Sequence, residues 1–204
     1  MQRRSNRDRT EATRADLIRA ARRLFTDKSY AETGTPEIVV AAGVTRGALY
    51  HHFTDKQALF AAVVEQEAAA VAAEIERASP PSLSARDALI AGSGAYLEAM
   101  RAPGRARLLL LDGPAVLGRA AMDDIDNRHG NRSLREGLVA AMRARSMTKL
   151  PVEALTALLA AAFDRAALAI EAGASAADYR AVLIALMDGL SPVHPPSTRR
   201  APSR

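Results

Sequence analysis

The 204 residues are expected to fold as an all-α protein of about nine helices, and three observations lead there. Alanine and aliphatic side chains dominate while aromatics make up only 4%, a balance that favours helices because alanine and leucine lose little on entering one. No run of alternating β-branched residues is bounded by turn chemistry, so strand signals are missing. Apolar residues recur instead at helical spacing between capping pairs and Gly or Pro stops.

Residues 1–9 are polar, basic and without periodicity, and are expected to form a flexible arm. Thr13 and Asp16 resemble a capping pair for the first helix, whose apolar face is Leu17, Ala21, Leu24 and Phe25 and whose end lies near Lys28. Thr35 is the expected N-cap of the second helix, with Pro36 at the first helical position, Glu37 complementing the dipole, and Ile38, Ala41 and Ala42 facing inward. Gly43 turns the chain at positive φ. Thr45 caps a third helix that reaches about Phe53, and Thr54 with Gln57 opens a long fourth helix to about Arg77, ended by Pro80-Pro81.

Ser84 and Asp87 open the fifth helix, and Pro103-Gly104 breaks it. Arg105 to Leu111 reads as a short apolar helix stopped by Asp112-Gly113-Pro114. From Pro114 a helical stretch runs to about Arg145, with an interruption left open at Gly118 or within Asp123 to Asn131. The last two helices begin near Pro151 and at the Ser175/Asp178 pair, with Gly173 closing the first of them. Residues 191–204, rich in Pro, Ser and Arg, read as a disordered tail.

The net charge of +5 is unevenly spread. Residues 1–56 hold 11 Lys/Arg against 7 Asp/Glu, residues 57–190 hold 14 against 16, and residues 191–204 hold 3 Arg and no acid. Basic charge gathered at one end suits neutralisation of phosphates, although so small an excess also serves plain solubility. The absence of cysteine excludes disulfides and thiolate metal sites. No apolar run approaches the roughly 18 residues of a membrane span, and the amino end lacks the apolar stretch of a secretory signal. A soluble, cytoplasmic protein without cofactor or metal is therefore expected.

Residues 35–60 carry most of the functional information, ending in the start of the capped fourth helix. Before it they read as two short helices joined by a glycine turn, in which the first braces the second. Ile38, Ala42, Val44, Leu49 and Phe53 supply the brace with Leu24 and Phe25, leaving Arg46, Tyr50, His51 and His52 exposed on the second helix. Arg46 can pair with guanine O6 and N7; Tyr50 and His51 can reach phosphates or thymine methyls; Thr35 and Thr45 can donate hydroxyls to phosphates. Gly47 would let the backbone approach DNA. Lys56, a poor partner for the dipole of its own helix, would be explained by a nearby phosphate. A helical hairpin inside an ordinary bundle is the competing reading. His51 and His52 project about 100° apart and cannot share one metal ion easily.

The run Ala41-Ala-Gly-Val-Thr-Arg-Gly-Ala-Leu-Tyr-His-His-Phe53, with Lys56 and Leu59-Phe60, resembles the TetR family of bacterial transcriptional regulators over about residues 13–64. The resemblance implies an N-terminal helix-turn-helix DNA-binding head of three helices, residues 1–55, in which Thr35, Thr45, Arg46, Gly47, Ala48, Tyr50, His51, His52 and Lys56 occupy positions that commonly contact DNA. Pro36 and Glu37 depart from the small or polar residues usual there, and Glu37 is left out because it would repel phosphate. Leu109-Leu-Leu-Asp-Gly-Pro-Ala-Val-Leu-Gly118 is similar to a segment of some members and suggests a six-helix regulatory domain, here residues 56–190.

That resemblance implies a homodimer, reading a near-palindromic double-stranded operator, and an unknown small-molecule effector. Ala157, Ala160, Ala161, Ala167 and Leu168 lie off the main stripe of their helix, which fits a second contact surface. The expected dimer interface is Leu155, Leu159, Phe163, Ala166 and Ile170 on one helix with Tyr179, Leu183, Leu186 and Met187 on the next. Tyr96, Met100, Leu108, Leu111, Met122, Phe163 and Asp164 are either plain core or the lining of a ligand cavity. Asp123, Asp124 and Asp126 read as a solvated face. No phosphate loop, zinc-binding helix or nucleophile elbow is present, so an enzyme is not expected. An architectural DNA-binding protein without a ligand remains the alternative to a ligand-released repressor.

Overall fold

Side-chain oxygens that take up free backbone N–H groups decide where several helices begin. The computed structural model describes residues 6–191. In it Thr45 accepts from the Ala48 amide, Asp55 from Ala58, Ser84 from Asp87 and Ser175 from Asp178, at 3.2, 2.7, 3.1 and 3.2 Å. The helices are α1 (Asn6–Lys28), α2 (Thr35–Ala42), α3 (Arg46–His52), α4 (Lys56–Ala78), α5 (Ala85–Met100), α6 (Arg105–Arg107), α7 (Gly113–Leu117), α8 (Arg119–Arg128), α9 (Gly130–Arg143), α10 (Val152–Glu171) and α11 (Ala176–Asp188). A π-helical turn, Leu108–Asp112, joins α6 to α7. There is no strand among the described residues, and none of their helices is long and apolar enough to cross a membrane.

Several boundaries differ from those expected. Helix α1 begins by Asn6 rather than at Thr13, because Asp8 suits a first turn and Arg7 pairs with Glu11 one turn on. The arm therefore includes helical residues; Arg3 and Arg4 fall outside the described residues, as does the tail beyond Ser191. Gly34, not Thr35, precedes α2, and no side chain caps that helix. Asp55 displaces Thr54 as the cap of α4, since its carboxylate reaches Ala58. Ala41 is exposed although it lies only about 60° round α2 from the buried Ile38, at the edge of the covered face. Asp112-Gly113-Pro114 does not stop the chain. The Gly113 amide bonds to the Leu108 carbonyl five residues back, and this wider turn admits Pro114, which has no N–H to donate. The open question in the middle of the chain resolves into two breaks, at Gly118 (φ 83°) and at His129.

Two apolar cores form. The first joins Leu17, Ala21 and Phe25 of α1 to Ile38, Leu49 and Phe53 of the short helices and to Leu59, Phe60, Val63 and Val64 of α4, then continues to Leu108, Met122 and Ile125. Phe25, Tyr30 and Phe60 pack ring to ring, with centroids 4.9–5.6 Å apart. The second core joins Leu97 of α5, Leu138 of α9, Leu159, Phe163 and Ala166 of α10, and Leu183 and Met187 of α11.

Where α1 meets α4 and α6, one carboxylate is taken out of water. Glu67, 6% exposed, receives two hydrogen bonds from Arg22 (2.7 and 3.1 Å) and one from the Arg105 Nε (2.8 Å). Arg105 Nη1 also donates to the Ala99 carbonyl and to Glu74, and Arg22 reaches the Pro103 carbonyl. Burial by itself would raise the Glu67 pKa, but the bonds from Arg22 and Arg105 outweigh it and hold the group below the usual carboxylate range. Just before α6, Gly104 sits at φ 72°, where a Cβ would come within 2.3 Å of Thr26. The close approach of the α5–α6 turn to α1 therefore needs glycine.

Breaking a buried pair strands its partner, so Glu67→Gln is expected to lower unfolding free energy by about 3 kcal/mol in urea denaturation. Combining it with Arg105→Met is expected to cost less than the sum of the two changes, because the stranded cation is then gone. A loss below about 1 kcal/mol for the single change would refute the reading of this cluster as the tie between α1, α4 and α6.

Candidate nucleic-acid interface and cavity

Helix α3 is propped from beneath. Leu49 is fully buried and Phe53 nearly so, and the turn before it is closed by Gly43 at φ 66°. Its polar side is then left to solvent: Thr45, Arg46, Gly47, Tyr50 and His51 are exposed, and Thr35, Ala48 and His52 are partly so. The Arg46 guanidinium lies 5.6 Å from the Tyr50 ring centroid. The neighbouring Thr35 hydroxyl and then Arg46 favour the ionised phenol and lower the Tyr50 pKa, so Thr35 of α2 and Arg46 and Tyr50 of α3 lie as one polar group. A Cβ at Gly47 would meet nothing nearer than the Thr45 hydroxyl at 3.9 Å, so its backbone lies open to approach. Burial, aided by His51 and Arg14, lowers the His52 pKa and favours its neutral form. Glu37 is held by Lys28 at 2.6 Å, which offsets a charge that would oppose phosphate.

Lys56 has partners within the protein. Its ammonium donates to the carbonyls of Tyr30 (2.9 Å) and Thr33 (3.1 Å) and lies 4.1 Å from the Tyr30 ring centroid. These contacts explain a cation in the first turn of α4 without a phosphate. They tie the loop after α1 to the start of α4 and leave one N–H free.

A cavity of about 620 Å³ opens between α4, α5, α8, α9 and α10. Of the seven residues expected there, Tyr96, Met100, Phe163 and Asp164 line it. Leu108, Leu111 and Met122 do not. Leu108 is core, Met122 packs against Gly113, and the π turn swings Leu111 out to 51% exposure while Leu109 and Leu110 face the space instead. The expected solvated face of Asp123, Asp124 and Asp126 holds for Asp124; Asp123 is exposed but borders the cavity, and Asp126 lies partly buried in its lining. No sequence signal separates it from Asp124 except helical phase relative to the buried Met122 and Ile125. Tyr96 donates to Asp164 at 2.6 Å, and its ring meets Phe163 edge to face at 5.8 Å. Burial chiefly, and then the Asp164 and Asp123 charges, push the Asp126 pKa up to about 6 against the relief given by Arg119 and His129.

Most of the residues expected at the dimer interface already pack within the single chain. Leu159, Phe163, Ala166, Leu183 and Met187 are buried within the single chain, and Leu155, Ile170 and Tyr179 pack against the same core. Leu186 alone of the nine is exposed. On α10 and α11 the large apolar side chains that do face solvent are Leu158 (72%), Val182 (58%) and Leu186 (52%). The widest apolar stripe of α10 had to serve the chain's own core, which leaves the off-stripe residues for any other contact.

Because the folded state holds a proton on Asp126 more tightly than the unfolded chain, stability contributed there falls as pH rises from about 4 to about 6, and the full penalty applies above that. Asp126→Asn is therefore expected to raise thermal stability at pH 7.5, by roughly 2–3 kcal/mol, and to change it little at pH 4. An equal gain at both pH values would show that the carboxylate is not strained by its surroundings.

Residues 17–63 match the family model described as bacterial regulatory proteins, tetR family, and residues 86–191 match the tetracyclin repressor-like C-terminal domain. The chain is 42% identical over 62 residues to the HTH-type transcriptional regulator AcrR of Shigella flexneri, covering 30% of this chain and 29% of that one. It is 35% identical over 65 residues to the HTH-type transcriptional repressor AcnR of Corynebacterium glutamicum, covering 32% and 35%. These matches span about a third of each relative's length. The crystal structure of a TetR-family regulator from Pectobacterium atrosepticum superposes with a TM-score of 0.73 at 33% identity, over 92% of this chain and 98% of that one. With one family model on the head, another on the body, and a relative matched along nearly its whole length, this chain belongs to the TetR family of DNA-binding transcriptional regulators.

Proposed function

We propose that the protein is a homodimeric repressor that a small-molecule effector releases from a near-palindromic operator. The observation that carries the DNA-reading part is the outward Arg46–Tyr50–Thr35 group on helices whose inner faces are buried. A short rigid helix with a polar outer side fits a major groove, and Arg46 supplies the base-reading donors. Thr35, Thr45, Tyr50 and His51 hold phosphates, with Gly47 and Ala48 allowing close approach. Lys56 acts mainly by bracing the head.

Two heads about 34–36 Å apart read successive major grooves, so a two-fold pair is required. The exposed Leu158 and Ala161 and the partly exposed Leu168 of α10, with Val182 and Leu186 of α11, form the pairing face in this reading. The cavity receives the effector. Ala68, Val71 and Ile75 of α4 line it, and the same helix carries Glu67 and Lys56 toward the head. An effector that prefers a differently set α4 shifts the population toward heads that no longer match the operator spacing; one with equal affinity for both states would change nothing.

Selection of bound duplexes from randomised DNA is expected to return a near-palindrome. Failure to enrich any two-fold sequence at moderate salt would sink the reading. Arg46→Ala is expected to lose about 1–3 kcal/mol of discrimination at one position of each half-site, measured as operator against single-mismatch affinity. Equal losses on operator and random DNA would remove Arg46 from base reading. Leu158→Arg with Leu186→Arg is expected to yield monomers in sedimentation while leaving the helical circular dichroism spectrum intact. Persistence of a dimer would move the interface elsewhere.

A further inference from the structure

The cavity's charge inventory deepens this reading, on which the following rests. Five carboxylates line it, Glu76, Asp123, Asp126, Glu136 and Asp164, against the single guanidinium of Arg119. Two are answered by cations: Glu76 by Arg132 at 3.0 Å and Asp123 by Arg119 at 3.3 Å. Glu136 is exposed at the rim. Asp164 accepts one hydrogen bond, from the Tyr96 hydroxyl, and faces no cation within ion-pair distance among the described residues. Asp126 makes neither a hydrogen bond nor an ion pair among those residues, although it is mostly withdrawn from solvent.

Beyond Asp123, Arg119 and His129, whose charges act on Asp126, and the polar Ser93, Asn131 and Ser133, much of the lining is apolar or aromatic. Val71, Ile75, Leu89 and Leu110 line the remaining wall, and the Tyr96 and Phe163 rings lie at the Asp164 end. Partly buried negative charge without a partner is costly, and the cost is relieved when a positive charge arrives. An anionic ligand would meet repulsion from both carboxylates, and a neutral one would leave their charge unanswered while displacing water that solvates it. Aromatic faces beside carboxylates add a second attraction for a cation.

We propose that the effector is an amphiphilic organic cation, an ammonium or amidinium on an apolar body, whose charge sits between Asp126 and Asp164 beside Tyr96 and Phe163. The volume of about 620 Å³ suits a drug-sized molecule. The apolar body lies along α4 and α5 toward Ile75 and Leu89, and Arg119, exposed and paired with Asp123, offsets part of the charge on Asp126 and Asp164 without forming an ion pair with either.

The test uses two ions of the same shape and opposite charge, tetraphenylphosphonium and tetraphenylborate, displacing the neutral fluorophore 1-N-phenylnaphthylamine from the full-length protein. The phosphonium is expected to displace it at concentrations at least about tenfold lower than the borate. Asp126→Asn and Asp164→Asn are each expected to narrow that ratio severalfold, whereas Asp124→Asn, on the exposed side of α8, leaves it as it was. Equal displacement by the two ions, preference for the borate, or a ratio indifferent to both Asn variants would overturn the cation assignment. Uptake of the fluorophore with displacement by neither ion would overturn it too, while leaving the cavity as an effector site. No uptake of the fluorophore at all would refute the effector cavity itself. The comparison of the two ions on the unaltered protein stands even if a variant fails to fold.

Discussion

The buried carboxylate of Glu67 holds three helices in one arrangement, and the relation of head to body depends on it. Arg22 approaches from α1 and Arg105 from α6, each through hydrogen bonds to the same carboxylate. An apolar contact at this point could slide, whereas a two-sided ion pair has direction and register. The surrounding packing agrees with it: Gly104 lets the turn before α6 come against Thr26, and Gln57 at the start of α4 donates to the Val116 carbonyl of α7. The first core runs without interruption from α1 through α4 to α8, so the head is continuous with the near side of the body.

Helix α4 is consequently shared by every functional part. Its first turn braces the head through Lys56, its middle carries Glu67, and its inner face lines the cavity at Ala68, Val71 and Ile75. Glu65 of the same helix accepts from Arg128 and contacts His129, where α8 gives way to α9. Those bonds lower the Glu65 pKa, the Arg128 contribution being the largest. Helix α8, set between the breaks at Gly118 and His129, thus touches both the cavity and α4. A movement of α8 on ligand entry has a direct mechanical route to the helix that orients the head, with no long chain of intermediaries.

Asp126 shows the tension between folding and use. A side chain placed only for stability at this position would be neutral, since its surroundings push its pKa up. Arg119 and His129 relieve its charge only in part, which leaves the carboxylate able to take a partner from outside the chain. Tyr96 and Asp164 differ: their mutual hydrogen bond satisfies the hydroxyl and keeps the phenol protonated, with burial the main reason its pKa lies high.

The all-α class, the glycine turn at Gly43, the caps at Thr45, Ser84 and Ser175, and the outward set of Arg46, Tyr50 and His51 were legible in the order of residues alone, because capping and helical phase act over three or four positions. Glu67 could have been noticed as an acid on the apolar stripe of Val63, Val64 and Val71. What only the tertiary structure decided were matters of which surface meets which. Lys56 spends its donors on carbonyls 23 and 26 residues away, Leu111 is turned outward by a π turn, and Asp126 faces inward while Asp124 does not. Likewise the broad apolar stripes of α10 and α11 looked available to a second subunit but belong to the chain's own core. Periodicity reports that a face is apolar; which partner covers it depends on contacts distant in sequence, and those exist only once the helices have packed.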